Sequence, residues 1–191
     1  LQKLLQHQLV ISVAAGLRLS DLSRWLGGHD KLVRAMPNTP ALIGAGVTGL
    51  YALPSVSEAE RLGAERIMQA VGSTLWVNDE AQIDALTAIS GSGPAYVFLF
   101  IESLQQAATE LSFSPRQVRQ LSIETVLGAA RLAALSEEPA SALRARVTSK
   151  GGTTEAALQV MTERGLKDAI VAGVKAANAL GAELGELLGK D

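Results

Sequence analysis

The stretch with the strongest chemical signal in this sequence is glycine-rich and polar: Thr148-Ser149-Lys150-Gly151-Gly152-Thr153-Thr154-Glu155. It directly precedes a predicted amphipathic helix, Ala156–Arg164. Glycines let a ligand approach the backbone closely, and a hydroxyl at Thr153 or Thr154 can cap the helix. Free N–H groups and the positive end of the helix dipole suit a carboxylate or a phosphate. A simple capped turn needs only one hydroxyl and one glycine, so the surplus favours a binding site.

Two further polar segments could contact a ligand. Pro37-Asn38-Thr39-Pro40 follows a predicted strand, where open α/β sheets bind ligands, but it equally suits an ordinary stiff turn. Ser90-Gly91-Ser92-Gly93-Pro94 precedes a predicted long helix, Pro94–Leu111. It either caps that helix or offers backbone N–H groups to an anion. Neither segment decides between its alternatives alone.

A third glycine-rich segment, Gly44-Ala45-Gly46-Val47-Thr48-Gly49, matches the dinucleotide fingerprint G-x-G-x-x-G. That fingerprint works only where a strand leads into the loop and a helix leaves it. Here Pro54 follows too soon for a helix, and no acidic residue stands about 20 residues later to bind a ribose. We therefore predict a turn before a strand.

The residues that the chain lacks exclude several chemistries. It has no Cys, and His7 and His29 are its only histidines. A thiolate nucleophile, a Cys-based zinc site and disulfides are therefore excluded, and neither a Ser-His-Asp triad nor a multi-His metal centre is expected. A net charge of −2 and 4% aromatic residues provide no basic stripe and few stacking surfaces, so no nucleic-acid partner is expected.

Lysine is absent between Lys31 and Lys150, so the predicted long helix cannot present one. Reduction of a ketone needs an acid that protonates the developing alkoxide, and this chain offers few candidates. A protonated imine already carries the positive charge that attracts a hydride. The residue inventory therefore suits reduction of a C=N bond better than reduction of a ketone.

The elements that must position these residues change in kind near residue 79. The preceding part alternates short apolar runs with helical stretches, which predicts βα crossovers and a largely parallel sheet. Its predicted elements are strands at Leu9–Ala14, Lys31–Met36, Val47–Ala52 and Thr74–Val77, a short helix capped by Ser20 or Asp21, and a helix Glu58–Val71 capped by Ser57.

Residues from 79 onward are predicted to be almost entirely helical. Ser114-Pro115-Arg116-Gln117 is a capping box that opens a helix to about Leu135. Shorter helices are predicted at Ala140–Val147 and Thr154–Arg164, and a last helix at Leu166–Leu188. Because Pro94–Ile101 is apolar on every side, this helix needs cover on every side, and a homodimer interface is a better explanation than a monomeric bundle.

The start of the chain suggests where it works. Leu1-Gln2-Lys3-Leu4 lacks the apolar core of a signal peptide, and no apolar run approaches the roughly 20 residues of a membrane span. We therefore expect a cytoplasmic protein with no membrane partner. Because residue 1 is not Met, we also expect a piece of a longer protein.

Four segments, spread in order over most of the chain, resemble pyrroline-5-carboxylate reductases, which catalyse the last step of proline biosynthesis. The segments are Ile11-Ser-Val-Ala-Ala-Gly16, Val33-Arg-Ala-Met-Pro-Asn-Thr-Pro40, Asp84-Ala-Leu-Thr-Ala-Ile-Ser-Gly-Ser-Gly-Pro-Ala-Tyr96 and Val147-Thr-Ser-Lys-Gly-Gly-Thr-Thr154. The resemblance implies an α/β plus all-α fold. Residues 1–78 would be the C-terminal part of a Rossmann-like dinucleotide-binding domain, and residues 79–191 a helical dimerisation and substrate-binding domain.

The resemblance also implies an activity and a set of site residues. NADPH or NADH would reduce the cyclic imino acid 1-pyrroline-5-carboxylate to L-proline, in a homodimer or higher homo-oligomer. Thr154 would be the catalytic residue and would hydrogen-bond the ring nitrogen. The substrate carboxylate would be held by Ser149, Gly151, Gly152 and Thr153. The nicotinamide half of the cofactor would be lined by Ala14, Ala15, Gly16, Met36, Pro37, Asn38, Thr39, Pro40 and Thr87. No metal is implied.

The chain departs from the family pattern in two ways. Lys150 stands where the family often has Pro, and a cation there would attract the carboxylate. The first βαβ units of the family, about 60–70 residues at ~30 each, are absent, and with them the pyrophosphate loop. Two alternatives follow: a hydroxyacid dehydrogenase, against which the lack of a helix lysine counts, and a non-catalytic helical dimer module or inactive fragment.

Overall fold

The structure is a computed structural model that describes residues 4–190. Its internal contacts define two compact units. The sheet unit contains the described residues up to Pro94 and those from Gly173 onward, and the helical unit is Ala95–Ala172. This grouping places the last part of the chain with the sheet, whereas the sequence predicts one boundary after residue 78. That boundary stays a prediction.

The sheet unit contains a four-stranded sheet in the order β1-β2-β3-β4. The strands are β1 (Val10–Ser12), β2 (Leu32–Met36), β3 (Gly46–Ala52) and β4 (Gly72–Trp76). Helix α1 (Leu19–Trp25) follows β1, a 3₁₀ helix (Thr39–Ile43) follows β2, and helix α2 (Glu58–Gln69) follows β3. The predicted alternation of strands and helices is confirmed.

The prediction of a largely parallel sheet needs correction, because the sheet is mixed. β1 and β2 are parallel, as are β3 and β4, but β2 and β3 are antiparallel. A parallel pair needs a crossover of a dozen or more residues, and only residues 37–45 join β2 to β3. The 3₁₀ helix and Gly44, with φ of 70°, reverse the chain within that distance.

The G-x-G-x-x-G segment is confirmed as a turn before a strand. Gly44 ends the 3₁₀ helix, and Gly46 and Gly49 belong to β3. A Cβ on Gly49 would overlap the side chain of Leu86. The glycine therefore permits close packing of a helix on the strand and does not form a phosphate loop.

The core of the sheet unit lies between the sheet and α2. Its buried residues are Val33, Ala35, Leu50, Ala52, Val56, Ala64 and Met68. Helix α2 begins with the predicted Ser57 cap, which Glu60 completes to a capping box: the Ser57 N–H donates to Glu60 Oε2 at 2.7 Å, and the Glu60 N–H donates to Ser57 Oγ. Hydrogen bonds from the Ser57 hydroxyl and N–H, together with the Lys31 ammonium, lower the pKa of Glu60 from 4.5 to about 2.

The cap of α1 is a second correction. The helix begins at Leu19 with Arg18 as its N-cap, and neither Ser20 nor Asp21 caps it. The Leu19 N–H donates instead to Glu80 Oε1 at 2.8 Å. A carboxylate 61 residues away therefore satisfies the helix end, which local sequence does not reveal.

The remaining helices are α3 (Ala81–Leu86), α4 (Gly93–Glu110), α5 (Pro115–Ala134), α6 (Ala140–Arg146), α7 (Thr153–Glu163) and α8 (Leu166–Leu188). The predicted capping box at Ser114 is confirmed. Among residues 95–172, all of which the structure describes, only Val118 and Ser122 are buried. Large apolar side chains such as Phe98 (65% exposed) and Leu135 (88% exposed) are mostly uncovered by this chain.

Candidate functional site

The predicted cofactor residues of the first two strands lie at one edge of the sheet. β1 and β2 run parallel with Ser12 opposite Arg34, so their carboxyl ends meet at the same edge. Ala14–Gly16 follow β1, and Met36–Pro40 end β2 and enter the 3₁₀ helix. Ligands of open α/β sheets bind outside this edge. We call Ala14–Gly16, Met36–Pro40 and Thr87 the cofactor edge, after their predicted role.

Thr87 joins this edge through an unusual turn. The chain from Ala81 to Glu110 is a single helix interrupted by a π-helical turn, Thr87–Gly91, in which the Ser92 N–H donates to Thr87 O at 2.8 Å. A Cβ on Gly91 would lie 3.2 Å from Thr87 Cγ2 and 3.7 Å from Met36 Cε. The absence of that Cβ allows Met36 and Thr87 to lie close together.

The helix predicted at Pro94–Leu111 is confirmed as α4, Gly93–Glu110, but the helical residues directly before it, Ala81–Gly91, were not predicted. Because the π turn Thr87–Gly91 leads directly into α4, Ser90–Pro94 is not an isolated helix N-terminus, which weakens both alternatives left open for it, an N-cap and an anion contact. Sequence reasoning took glycine and proline as a break, whereas a π turn absorbs them without ending the helix.

Asn38 connects the two polar segments that the sequence left undecided. Its Nδ2 donates to Ser90 O at 3.0 Å, and its Oδ1 accepts from the Val47 N–H at 2.9 Å. Both bonds are partly buried. The Pro37–Pro40 turn is thereby tied both to β3 and to the π turn.

Gly16 packs against the end of α8. Its φ is 75°, and a Cβ there would lie 3.0 Å from Leu188 Cδ1. Gly185 is the buried residue of α8 and faces Arg18. The end of α8 therefore supports the segment that follows β1.

Arg34 forms a buried ion-pair cluster in the sheet unit that sequence reasoning missed. Its guanidinium is 2% exposed and bonds Asp84 at 2.7 Å and Glu80 at 3.4 Å, while its Nε has no partner among the described residues. These groups, with Arg18 and Asn178, line a cavity of about 220 Å³. One arginine inside an apolar strand, with acids four residues apart further on, is the signal that could have revealed it.

The predicted substrate residues lie in one bend, Ser149–Gly152, and in the first turn of α7, which begins at Thr153. Gly151 has φ of 73°, and the Gly152 N–H donates to Ser149 O at 3.0 Å. The N-cap of α7 is Gly152, so the prediction that Thr153 or Thr154 caps the helix is wrong: they are its first two residues. Because the N-cap is Gly152, and Thr153 and Thr154 lie inside the helix, neither threonine hydroxyl caps α7.

The backbone of this bend binds a carboxylate in the structure. The Gly151 N–H donates to Glu155 Oε2 at 2.6 Å, a short bond of the charge-assisted kind. An open groove of about 530 Å³ lies beside the bend in the helical unit. Its lining includes Arg144, Thr148, Glu155, Leu158 and Thr162.

The structure thus gathers the predicted residues into two groups. The cofactor edge belongs to the sheet unit, and Ser149, Gly151, Gly152, Thr153 and Thr154 belong to the helical unit. No cluster of His, Cys, Asp or Glu that could hold a metal occurs among residues 4–190.

Comparison with known proteins identifies the relatives of this fold. Residues 80–184 match the family model for pyrroline-5-carboxylate reductase dimerisation. A pyrroline-5-carboxylate reductase from Pseudomonas aeruginosa is 46% identical over 184 residues, covering 96% of this chain and 67% of the relative. The Haemophilus influenzae reductase is 46% identical over 154 residues, covering 80% and 57%.

Solved structures agree with the sequence comparison. A pyrroline-5-carboxylate reductase from Coxiella burnetii superposes with a TM-score of 0.91 at 43% identity, covering 96% of this chain and 68% of that one. A Plasmodium falciparum pyrroline carboxylate reductase solved with NADP bound gives 0.86 at 31% identity, covering 93% and 71%. The chain spans between about half and two thirds of the curated relatives above. It belongs to the pyrroline-5-carboxylate reductase family.

Proposed function

We propose that the protein to which this chain belongs reduces 1-pyrroline-5-carboxylate to L-proline with NADPH or NADH. The observation that carries the proposal is the bend before α7, whose Gly151 N–H already holds a carboxylate at 2.6 Å in a member of this family. A substrate carboxylate would take the place of Glu155 on the same group. Ser149 and Thr153 offer further donors beside the bend, while the Gly152 N–H, which donates to Ser149 O in this structure, would have to exchange that bond for one to the substrate.

Thr154 would orient the imine. It is the second residue of α7, partly buried, and its hydroxyl is not used as a cap. With the carboxylate bound on the preceding backbone, this hydroxyl can hydrogen-bond the ring nitrogen and so fix which face of the imine carbon is open. Catalysis would then consist mainly of positioning, which can supply several kcal/mol of the barrier.

The cofactor edge fits the nicotinamide half of a dinucleotide. Met36 and the methyl of Thr87 form an apolar surface across Gly91, where any Cβ would intrude. Ala14, Ala15 and Gly16, and Pro37 to Pro40, would complete the lining. Bound NADPH or NADH supplies the hydride, which goes to the imine carbon while a proton goes to the nitrogen. The described residues include no phosphate loop, because the one G-x-G-x-x-G segment runs into β3.

The helical unit supports homo-oligomerisation, and we propose at least a homodimer. Its match to a dimerisation family agrees with the exposed apolar residues of α4 and α5. Within the described residues, Ala81–Glu110 is also long and apolar enough to cross a membrane by length and composition. A subunit interface accounts for the same apolar surface, and we propose a cytoplasmic enzyme.

The activity is tested on the complete natural protein by following NADPH or NADH absorbance after 1-pyrroline-5-carboxylate is added. Oxidation that requires this substrate, with proline as the product, is expected. A protein that oxidises neither nucleotide would favour the non-catalytic dimer module. Oxidation with an α-keto acid but not with the imine would favour a hydroxyacid dehydrogenase.

The assembly is tested by sedimentation. Leu135→Glu places a charge on an exposed apolar residue of the helical unit, and we expect it to shift the protein towards monomer. Leu42→Glu is the matched control, because Leu42 is equally exposed (90%) but lies in the sheet unit. A wild-type protein that sediments as a monomer would contradict the proposal.

A further inference from the structure

One hydrogen bond of the long helix is missing because of a proline. In a regular helix the N–H of residue 94 donates to the carbonyl of residue 90. Pro94 has no N–H, and its ring crowds that carbonyl. Ser90 O is thus left without its helical donor at the point where the π turn ends.

Asn38 supplies the missing donor from 52 residues away. Its Nδ2 lies 3.0 Å from Ser90 O, and its Oδ1 holds the Val47 N–H at 2.9 Å. The amide oxygen and one amide hydrogen are therefore both in use. A buried or partly buried carbonyl without a donor lowers stability by about 1–3 kcal/mol. The donor from Asn38 therefore compensates for the N–H that Pro94 lacks.

The π turn that Asn38 holds in this way contributes Thr87 to the cofactor edge. Residues 87–91 place both Thr87 Cγ2 and Met36 Cε within 4 Å of where a Cβ on Gly91 would lie. The Thr87 hydroxyl donates to Ile83 O at 2.7 Å, so its methyl is the group that lies beside Gly91. If the π turn moved away from β2, this surface would separate.

We propose that Asn38 is a positioning residue. It replaces the helix donor that Pro94 removes, holds the π turn against the end of β2 and so keeps Thr87 close to Met36. The proposal rests on the proposed function, because the surface so held is the one assigned to the nicotinamide. Asn38 acts on the cofactor only through Thr87 and Met36, because its own amide atoms bond Ser90 O and the Val47 N–H.

Asn38→Asp tests the proposal with little change in shape. The aspartate keeps an oxygen for the Val47 N–H but offers no donor to Ser90 O. We expect kcat/KM for NADPH to fall about tenfold, the equivalent of one such bond, while KM for pyrroline-5-carboxylate stays within about twofold. Ser55→Ala is the control, because it removes another side-chain donor to a distant backbone carbonyl, Asp30 O at 2.7 Å, in the same unit.

Rescue separates positioning from general damage. Pro94→Ala restores an N–H that can donate to Ser90 O, so the double variant Asn38→Asp/Pro94→Ala is expected to recover most of the loss seen in Asn38→Asp. Simple addition of the two single effects would overturn the proposal. Unchanged kcat/KM for NADPH in Asn38→Asp would also overturn it.

Hydrogen exchange provides a readout that needs no turnover. In Asn38→Asp the Ser92 amide of the π turn is expected to exchange faster, while the Val47 amide stays protected. Equal exchange at Ser92 in variant and wild type would show that Asn38 does not hold the turn. If the wild-type protein oxidises no nucleotide, the proposed function fails, and this measurement still decides whether the contact operates.

Discussion

The cofactor edge and the substrate bend are built in opposite ways. At the cofactor edge, Asn38 bonds a residue 52 positions away, and Arg34 reaches Asp84 across 50 positions. In the bend every hydrogen bond is local: Thr148 to Arg144, Gly152 to Ser149, and Gly151 to Glu155. The edge is a product of tertiary folding, whereas the bend forms from a few neighbouring residues.

This difference shows what each site requires. The geometry of the cofactor edge depends on tertiary contacts within the sheet unit. It should therefore be lost when that unit unfolds. The bend is preformed but exposed, and a subunit interface or a ligand must supply the cover it lacks. Both tryptophans, Trp25 and Trp76, belong to the sheet unit, so their fluorescence reports that unit alone.

The largest effect is expected from Arg34→Met. It leaves Asp84 and Glu80 without their buried partner, which typically costs about 3–5 kcal/mol. Denaturant unfolding followed by tryptophan fluorescence should show this loss. Arg146→Met breaks the exposed Arg146–Glu138 pair of the helical unit and should cost less than about 1 kcal/mol. An equal loss of unfolding free energy in Arg34→Met and Arg146→Met would contradict the difference expected between the buried and the exposed ion pair.

Thr154→Ala tests the bend without disturbing the core. We expect turnover to fall about 100-fold, in the range for loss of a contact that orients the reacting atoms, with little change in unfolding temperature. Thr162→Ala is the control in the same helix, because its hydroxyl only donates to Leu158 O at 2.7 Å. Wild-type turnover in Thr154→Ala would remove this residue from the site.

Glu155→Gln tests whether the bend is occupied by its own helix. The neutral amide binds the Gly151 N–H less strongly than a carboxylate does, so KM for pyrroline-5-carboxylate should fall about two- to fivefold. Glu163→Gln, whose carboxylate accepts from Gln159 in the same helix, should leave KM unchanged. A KM in Glu155→Gln at or above the wild-type value would mean that Glu155 serves only as a helix cap.

The smallest effect concerns acid stability of the sheet unit. Because the pKa of Glu60 is lowered from 4.5 to about 2, its ionised form stabilises the fold above pH 4.5. That contribution is lost as pH falls from 4.5 towards 2. Unfolding curves of Glu60→Gln and wild type, read by tryptophan fluorescence, should differ above pH 4.5 and converge near pH 2. A constant difference across this range would exclude a role for its ionisation.

Local signals in the sequence predicted most elements well. Ser57 with Glu60 and Ser114 with Gln117 mark two helix starts, and the Leu166–Leu188 helix has its predicted bounds. These features depend on residues three or four positions apart, which sequence reveals. The assignment of the carboxylate and cofactor residues came from family resemblance and stays a prediction.

The errors arose where distant residues act together. Glu80 caps α1, and no residue near Leu19 indicates it. Ser90–Pro94 looked like a break because Asn38, which satisfies the freed carbonyl, lies in another segment. The β2–β3 pair is antiparallel because the connection is short, a geometric limit that hydrophobic patterning does not express.

The π turn also has a consequence for how this helix can change. A π turn carries one residue more than a turn of the regular helix. Deleting a single residue from Thr87–Gly91 would therefore convert this turn into a regular one, with little rotation of the helix that follows, and would remove the wide turn closed by the Ser92 N–H and Thr87 O. A change of chain length in this short span would therefore act locally, on the shape of the sheet edge where Met36 and Thr87 lie near Gly91.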